Sequence, residues 1–441
     1  MKVPYGAAEE GVVVTESLNH EGLGVAHVDG KALFIHGALP GETVRFRYQV
    51  RKRRYDFATA TAILAASPDR AVPPCPHFGV CGGCALQHMT PTAQLQAKEQ
   101  ILLETLQHVG KVVPERVLPA LGGATAGYRR RARIGIRCVP KKGGVLVGFR
   151  ERNSSYITPL GECVVLDERV SHLLPAIQAL VTGLSGPSQM PQVEIATTVS
   201  QVALVFRHLA PLTVEDRALM ASFAQTQHVT VYLQSKGPDS IVPLAEPVKL
   251  HYELPGNIHI EFQPTDFVQV NGPMNVALVT AAMDLLAVGP EDHIADFFCG
   301  IGNFSLPLAR RAAFVAGVEG STELVRRAQE NATANGIENV RFEHLDLYQG
   351  AALERAWWNE GYSKVLLDPP RTGAMELIKT FDENKIERIV YVSCYPATLA
   401  RDCEFLVHRK GYRLMAAGVV DMFPHTTHME SCALLVREAA C

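Results

Sequence analysis

The segment DFFCGIGNF, residues 296–304, lies between a stretch that predicts a strand and a stretch that predicts a helix. Gly300 and Gly302 lack a β-carbon, so the backbone there can turn sharply and pass close to a ligand. A strand, a glycine-containing turn and a helix in this order are typical of the ligand-binding edge of an α/β sheet. A tight turn that binds no ligand would carry the same glycines. The neighbouring elements are therefore needed to distinguish a ligand-binding turn from a purely structural one.

Strands and helices alternate throughout the region that follows residue 263. The apolar stretches predict strands at residues 293–297, 314–319, 340–344, 364–368 and 388–393. This alternation predicts a doubly wound, Rossmann-like α/β domain with a mostly parallel sheet.

Acidic residues stand at the ends of these predicted strands. Glu319 ends the second strand, Asp346 follows the third, and Asp368 opens the segment DPPR after the fourth. An acid at the end of the second strand can bind ribose hydroxyls. A dinucleotide would favour GxGxxG and a pyrophosphate at the helix N-terminus, whereas this chain has GIGNFS without a third glycine. S-adenosylmethionine has no phosphate, and the strand-end motifs together predict this cofactor.

The amino-terminal part of the chain has a different pattern. Alternating apolar and polar residues predict short strands at residues 11–17, 31–36, 43–50 and 58–64. About five short strands with glycine-rich turns suit a small barrel of the OB type. Such barrels often bind oligonucleotides through stacked aromatic side chains.

A proline-rich linker, SPDRAVPPCP at residues 67–76, marks the end of this barrel. A helix is predicted over residues 91–109, ended by Gly110, and it could pack on the carboxy-terminal domain. The chain is long enough for two or three domains. We predict a barrel over residues 1–66, a central mixed α+β domain over 67–262 and an α/β domain over 263–441.

The charge of the chain is unevenly distributed, although its formal net value is only −3. Residues 45–54 hold six basic residues and no acid, and residues 128–152 hold nine basic residues and one acid. Such local positive surfaces favour contact with RNA or DNA phosphates, and a solvated strand face is the alternative. The sequence shows no signal peptide and no apolar stretch long enough to span a bilayer, which predicts a cytoplasmic protein. Nothing suggests a dimer seam, so a monomer is expected.

Two further segments carry groups of chemical interest. YVSCYP, residues 391–396, places Cys394 just past a strand end, and HTTHMES, residues 425–431, gathers two histidines and Glu430. A strand-end cysteine is commonly a core residue, and HxxH could bind a metal, although HExxH is absent. A cysteine nucleophile with a carboxylate base is the pair that methylation of uracil C5 requires. A thiolate added to C6 makes C5 nucleophilic, and a base then removes the C5 proton.

Four other cysteines form a separate pattern: Cys75, Cys81 and Cys84 lie close in sequence, and Cys163 lies far downstream. In a reducing compartment, clustered cysteines favour a metal over disulfides. Four thiolates suit tetrahedral zinc or an iron–sulfur cluster, and the spacing does not separate these. The spacing differs from the CxxxCxxC loop of radical enzymes, so the site is interpreted as structural or RNA-positioning. His77 and His88 are possible substitute ligands.

The segments DFFCGIGNFSLPLA, DPPRTGA, SCYPATLARD and HTTHMES resemble the RNA uracil-5 methyltransferase family. The amino-terminal barrel resembles a TRAM domain. Together with the cysteine cluster, these features are similar to the bacterial members that act on 23S ribosomal RNA. The chain departs from the family pattern at Tyr395, where asparagine is usual after the nucleophile.

The resemblance implies a role for each matched residue. Cys394 would be the nucleophile and Glu430 the base. The resemblance also implies an S-adenosylmethionine site lined by Gln269, Phe298, Asn303, Glu319, Asp346 and Asp368. It further implies a [4Fe-4S] cluster bound by Cys75, Cys81, Cys84 and Cys163.

Two rival functions are left open. The first is a methyltransferase of the same fold that acts on a base nitrogen, which needs no nucleophilic cysteine, or on transfer RNA. The resemblance argues against the transfer-RNA version, because the transfer-RNA uracil enzymes of this family lack the TRAM barrel and the cysteine cluster. A non-catalytic RNA-binding or iron-sensing module would not bind S-adenosylmethionine.

Overall fold

The computed structural model describes residues 10–349, 361–381 and 385–437. Within these ranges the chain forms two compact units that do not follow the order of the sequence. The smaller unit combines Met1–Ile101, Phe149–Thr158 and Phe423–Thr427. The larger unit combines Leu102–Gly148, Pro159–Met422 and His428–Cys441. The linear domain boundaries predicted above are untested and stay a prediction.

The smaller unit contains a six-stranded sheet in the order β1-β5-β6-β4-β3-β2. Its strands are β1 (Glu10–Val14), β2 (Ser17–Leu18), β3 (Gly24–Val28), β4 (Lys31–His36), β5 (Thr43–Arg51) and β6 (Tyr55–Ala65). Apolar side chains alternate along these strands, so one face of the sheet builds a core that includes Leu33, Ile35, Val44 and Phe46. Closure into an OB-like barrel stays a prediction.

A second, seven-stranded sheet has the order β10-β9-β8-β11-β12-β13-β14. Its first strands are β8 (Arg131–Val139), β9 (Gly144–Arg150) and β10 (Ile157–Pro159). The others are β11 (Gln192–Thr197), β12 (Val202–Arg207), β13 (Thr230–Gln234) and β14 (Ile241–Pro243). A separate hairpin consists of β15 (Leu250–Leu254) and β16 (Ile258–Phe262).

The main sheet of the larger unit has eight strands in the order β19-β18-β17-β20-β21-β23-β22-β7. Its strands are β7 (Arg116–Val117), β17 (His293–Phe297), β18 (Phe314–Glu319), β19 (Val340–His344), β20 (Lys364–Leu367), β21 (Arg388–Ser393), β22 (Tyr412–Val420) and β23 (Glu430–Arg437). The five strands from β17 to β21 pair in parallel, which confirms the predicted α/β domain. Strand β23 runs antiparallel to both β21 and β22, an arrangement that the sequence pattern did not predict.

Eight α-helices lie in the described residues: α1 (Pro91–His108), α2 (Glu168–Gly183), α3 (Val214–Gln227), α4 (Gly272–Leu286), α5 (Ser305–Ala309), α6 (Thr322–Ala334), α7 (Met375–Lys379) and α8 (Pro396–Lys410). Local sequence explains several of their ends. Asn271 caps α4 by accepting a hydrogen bond from the Met274 amide, and Ser321 caps α6 through the Leu324 amide. Helix α8 begins at Pro396 and ends at Gly411, whose φ is +73°. None of the described helices combines the length and apolar character that crossing a bilayer would require.

We expect Gly317→Ala to destabilise the protein, because Gly317 lies in the middle of buried strand β18. A β-carbon there would lie 2.5 Å from Phe342 Cδ1 and 3.0 Å from Ser305 Oγ. Overpacking of this kind typically costs about 1–3 kcal/mol. Thermal unfolding followed by circular dichroism should show a lower midpoint. Gly161→Ala is the matched control, since a β-carbon at Gly161 meets nothing within 4 Å, and an equal loss in both variants would contradict the packing argument.

Candidate active site

A cavity of about 530 Å³ lies in the larger unit, at the carboxyl ends of the parallel strands. This is the edge where ligands of doubly wound sheets bind. Eight residues predicted from the sequence line it: Gln269, Phe298, Asn303, Glu319, Asp346, Asp368, Cys394 and Glu430. The cavity therefore brings the predicted cofactor-binding and catalytic residues together.

The turn after β17 forms the floor of the cavity. Phe298, Gly300 and Gly302 all have positive φ values, +65°, +56° and +95°, so the backbone is strongly turned. The Gly300 amide donates to Glu319 Oε2 at 3.2 Å, and the Ser321 amide donates to Glu319 Oε1 at 3.0 Å. The Glu319 carboxylate thus links the turn after β17 to the residues that follow β18, and Gly300 and Glu319 both line the cavity.

Asn303 is held in the cavity by side chains from two other elements. Its Oδ1 accepts hydrogen bonds from the Tyr252 hydroxyl at 3.0 Å and from Asn275 Nδ2 at 2.8 Å. Its Nδ2 donates to Asn275 Oδ1 at 3.1 Å. Sequence reasoning missed Tyr252 and Asn275, because nothing in the local pattern links the hairpin or helix α4 to the turn.

Strand pairing explains why Cys394 and Glu430 share the cavity. In the β21–β23 ladder, Ser393 lies opposite Ser431, and Ser431 Oγ donates to the Ser393 carbonyl at 2.9 Å. The next residues along each strand toward the cavity edge are Cys394 and Glu430. An antiparallel pair therefore carries both groups to the same edge of the sheet.

Burial dominates the electrostatics of this edge. Burial, followed by the nearby charges of Glu430 and Asp368, raises the pKa of the Cys394 thiol to about 11, although Arg371 opposes the shift. Burial raises the pKa of Glu430 well above its ordinary value, and the charge of Asp368 adds to the effect. Burial also raises the pKa of Asp368 to about 7. Carboxyl groups with raised pKa values beside a thiol in a cavity suit proton transfer near neutral pH.

Asp296 lies beneath the cavity and is fully buried. Burial is the main reason that its pKa rises to about 8, and the hydrogen bond from Ser305 Oγ to its Oδ2, 2.5 Å long, opposes the rise. Asp368 and Glu319 add smaller contributions in the raising direction. Acidic side chains are thus concentrated at this cavity, in its lining and, for Asp296, in the adjoining core.

The loop after β20 places Arg371 in the lining of the cavity. Hydrogen bonds to Asp402 on α8 hold this loop. Asp402 Oδ2 accepts hydrogen bonds from the Tyr391 hydroxyl at 2.6 Å and from the Ala374 amide at 2.7 Å. Arg401 Nε donates to Asp402 Oδ1 at 2.8 Å. Arg371 ends the DPPR segment that begins at Asp368, so its place in the cavity could have been predicted from the sequence. Sequence reasoning missed that it is the positive group near Cys394.

The cysteine segment belongs to the smaller unit, whereas Cys163 belongs to the larger one. Cys75, Cys81 and Cys84 are half-buried, and the Gly83 amide donates to Cys81 Sγ at 3.4 Å. Cys163 is also half-buried. The amide directed at the Cys81 sulfur fits a thiolate ligand of a metal or cluster. The identity of that group stays a prediction.

The basic segments have two kinds of environment. Residues 45–54 include the exposed side chains of Arg45 and Arg47 on β5, as the alternation predicted. In the segment 128–152, however, Arg131 Nη1 donates to the Asp266 carbonyl at 2.5 Å, and Arg133 pairs with Glu194 at 2.8 Å. Part of the second segment therefore holds the protein together.

The chain is similar to known proteins over most of its length. A family profile described as tRNA (uracil-5-)-methyltransferase matches residues 92–438, and a TRAM domain profile matches residues 12–60. The 23S rRNA (uracil(1939)-C(5))-methyltransferase RlmD of Alkalilimnicola ehrlichii is 51% identical over 97% of this chain and 96% of its own. The RlmD of an Azoarcus species is 50% identical over 96% of this chain and 99% of its own.

A solved structure shares the fold. The Pyrococcus abyssi tRNA (uracil-54, C5)-methyltransferase, in complex with S-adenosyl-L-homocysteine, superposes with a TM-score of 0.74 and 24% sequence identity. The match covers 96% of this chain and 99% of that one. The predicted TRAM domain and the α/β fold are therefore confirmed.

We expect Glu430→Gln to increase the alkylation rate of Cys394 in the ligand-free protein between pH 8 and pH 10. The carboxylate raises the pKa of the thiol, so a neutral amide of similar shape favours the thiolate, by up to about tenfold per pKa unit. Arg371→Gln should slow the same reaction. Iodoacetamide labelling read by peptide mass spectrometry measures both rates, with half-buried Cys138 as the internal standard. Slower labelling of Cys394 in Glu430→Gln would refute this account of its electrostatics.

Proposed function

This chain belongs to the tRNA (uracil-5-)-methyltransferase family, and from that premise we propose that it methylates carbon 5 of a uridine in 23S ribosomal RNA. The methyl donor is S-adenosylmethionine. The observation that carries the proposal is the cavity, in which Cys394 and Glu430 face the strand-end residues Glu319, Asp346 and Asp368. The RlmD relatives at about half identity over nearly the whole chain support the ribosomal substrate.

The strand-end residues are proposed to hold the cofactor. Glu319 and Asp346 can accept hydrogen bonds from a ribose or an amino group, and Phe298 offers an aromatic surface whose ring centroid lies 5.9 Å from that of Tyr348. Gln269 and Asn303 add amide groups, and Asp368 adds a carboxyl group. When bound, S-adenosylmethionine supplies an electrophilic methyl group at this edge.

Cys394 is proposed to begin the reaction by adding to uracil C6. With a pKa of about 11, only about one thiol in ten thousand is ionised at pH 7. The thiol proton must therefore leave as the sulfur–carbon bond forms, and the carboxylate of Asp368, whose pKa is about 7, can accept it, so that Glu430 stays ionised for the later step. The new bond places electron density on C5, which then takes the methyl group.

Glu430 is proposed to complete the cycle. After methyl transfer, C5 carries both a methyl group and a proton. A carboxylate that removes this proton restores the C5–C6 double bond and expels the Cys394 thiolate, which gives 5-methyluridine. The raised pKa of Glu430 strengthens it as a base, because a carboxylate with a higher pKa holds a proton more tightly.

The RNA is proposed to bind by its backbone as well as by the target base. The exposed arginines of β5 in the TRAM domain can contact phosphates, and Arg51 and Lys52 lie over the rings of Tyr48 and Tyr55 at 4.5 and 4.8 Å. To reach Cys394 inside a cavity, the target uridine must leave its stack.

We expect a 23S RNA fragment that carries 5-fluorouridine to trap the unchanged enzyme covalently. Fluorine cannot leave as a proton, so the Cys394 adduct should accumulate with S-adenosylmethionine and shift in a denaturing gel. Cys394→Ala should give no shifted band, whereas Cys138→Ala should behave like the parent. With ordinary uridine, Glu430→Gln should accumulate the corresponding methylated Cys394 adduct, which retains its C5 proton, and lose at least about a hundredfold in turnover. Normal turnover in Cys394→Ala would favour nitrogen methylation.

Cys75, Cys81, Cys84 and Cys163 are proposed to hold a [4Fe-4S] cluster, as the family resemblance implies. Four thiolates match the ligand set of such a cluster, and the Gly83 amide that donates to Cys81 Sγ is the kind of hydrogen bond that tunes it. The cluster would have a structural role, and no step of methyl transfer requires it.

We expect anaerobically purified protein to contain about four iron and four sulfide ions per chain. Cys81→Ser should lose most of both ions together with the visible absorption. Cys138→Ser should retain them, since Cys138 lies outside the four-cysteine set. Stoichiometric zinc without sulfide in the parent would show that the site holds zinc instead.

A further inference from the structure

The hairpin β15–β16 has one face that no part of the proposed reaction uses. His251 and Glu253 alternate along β15 and point to the exposed face, and His259 on β16 lies opposite Glu253. Because side chains alternate along a strand, the three residues share one face. The turn between the strands is tight, with positive φ at Gly256 and Asn257.

The ligand atoms of these three side chains are already close together. One nitrogen of each imidazole and one oxygen of the carboxylate all lie within 4.8 Å of one another. His259 Nδ1 lies 3.9 Å from Glu253 Oε1, and the two imidazole centroids are 5.7 Å apart. Around tetrahedral zinc, ligand atoms are about 3.3 Å apart, so small side-chain rotations would complete the geometry.

The backbone of the hairpin is anchored where these residues sit. The His259 amide donates to Asn335 Oδ1 at 2.8 Å, and Asn335 Nδ2 donates to the His259 carbonyl at 2.7 Å. Asn331 makes the same pair of bonds with Glu261, at 2.9 and 3.1 Å. The Glu261 carboxylate is paired with Lys249 at 3.0 Å. Strand β16 is thus anchored where His259 lies, and the second acid on this face, Glu261, already has a cation.

We propose that His251, Glu253 and His259 bind one divalent transition-metal ion of the Zn²⁺ class. Two imidazoles and one carboxylate suit such ions, and the exposed position leaves the remaining coordination sites to water. The ion would cross-link the two strands.

The metal cross-link would lie on the same hairpin as Tyr252, which lines the proposed cofactor site. Its effect on cofactor binding rests on the proposed function. Tyr252 lies between His251 and Glu253 on β15 and points to the opposite face, where its hydroxyl donates to Asn303 at 3.0 Å. A metal ion on the outer face would therefore fix the strand that positions an Asn303 partner on the inner face.

The test is a titration of the untagged, full-length protein with ZnCl₂ by isothermal calorimetry. The parent should bind one more equivalent than His259→Ala and than Glu253→Gln, which retains the shape of the side chain. His27→Ala is the matched control, because His27 also forms an exposed histidine–glutamate pair, with Glu16 at 2.9 Å, outside the three-residue cluster. That control should keep the full stoichiometry.

Two further readouts separate this site from the cysteine site. Co²⁺ bound at the hairpin should give weak visible bands without the intense sulfur charge-transfer absorption of a thiolate site. Zn²⁺ should slow hydrogen exchange of residues 250–262 in the parent and not in His259→Ala. Equal stoichiometry in the parent and both hairpin variants would overturn the proposal. These readouts need neither RNA nor S-adenosylmethionine, so a failed trapping experiment would leave them interpretable.

Discussion

The antiparallel pairing of β21 with β23 is the constraint on which the candidate active site depends. The parallel strands alone would bring Asp368 to the carboxyl edge near Cys394, but they would not supply Glu430. Strand β23 enters the sheet from that edge and begins at Glu430, so the Ser393–Ser431 pair sets the thiol and the carboxyl group side by side. A one-residue slip of this register would turn Glu430 to the other face of the sheet. Strand β22 pairs with the other edge of β23, so both edges of β23 are hydrogen-bonded within the sheet.

The acidic groups at this edge oppose stability at alkaline pH. Burial raises the pKa of Asp296 to about 8 and that of Asp368 to about 7, above the ordinary value near 4. The folded state therefore holds these protons more tightly than the unfolded chain does. The resulting stabilisation is complete below about pH 4 and is lost as the pH rises through 7 to 8. A site suited to proton transfer near neutral pH thus destabilises the fold as its groups ionise.

The sequence predicted the parallel part of the fold and the residues that line the cavity, for identifiable reasons. Strands such as β18 and β20 are mostly apolar runs that end in or are followed by an acid, so their limits can be read from the pattern. Strands β22 and β23 were missed because neither precedes a helix in the alternating pattern. Tyr252 and Asn275 could not be found either, since their relation to Asn303 depends on tertiary packing. The composition of the two compact units could not be predicted from the sequence either, because each unit combines three chain segments that are distant in sequence.

The hairpin β15–β16 shows how strand periodicity can join two sites that share no residues. Its inner face supplies Tyr252 to the cavity, while its outer face presents His251 and Glu253. Adjacent residues on one strand cannot move independently, because their positions follow from the same backbone ladder with β16. A ligand on the outer face does not touch Tyr252. It therefore affects the position of Tyr252 only by restricting the motion of the β15 backbone. The direct amide bonds of Asn331 and Asn335 anchor β16, so a ligand that links the two strands would tie β15, which carries Tyr252, to an anchored strand.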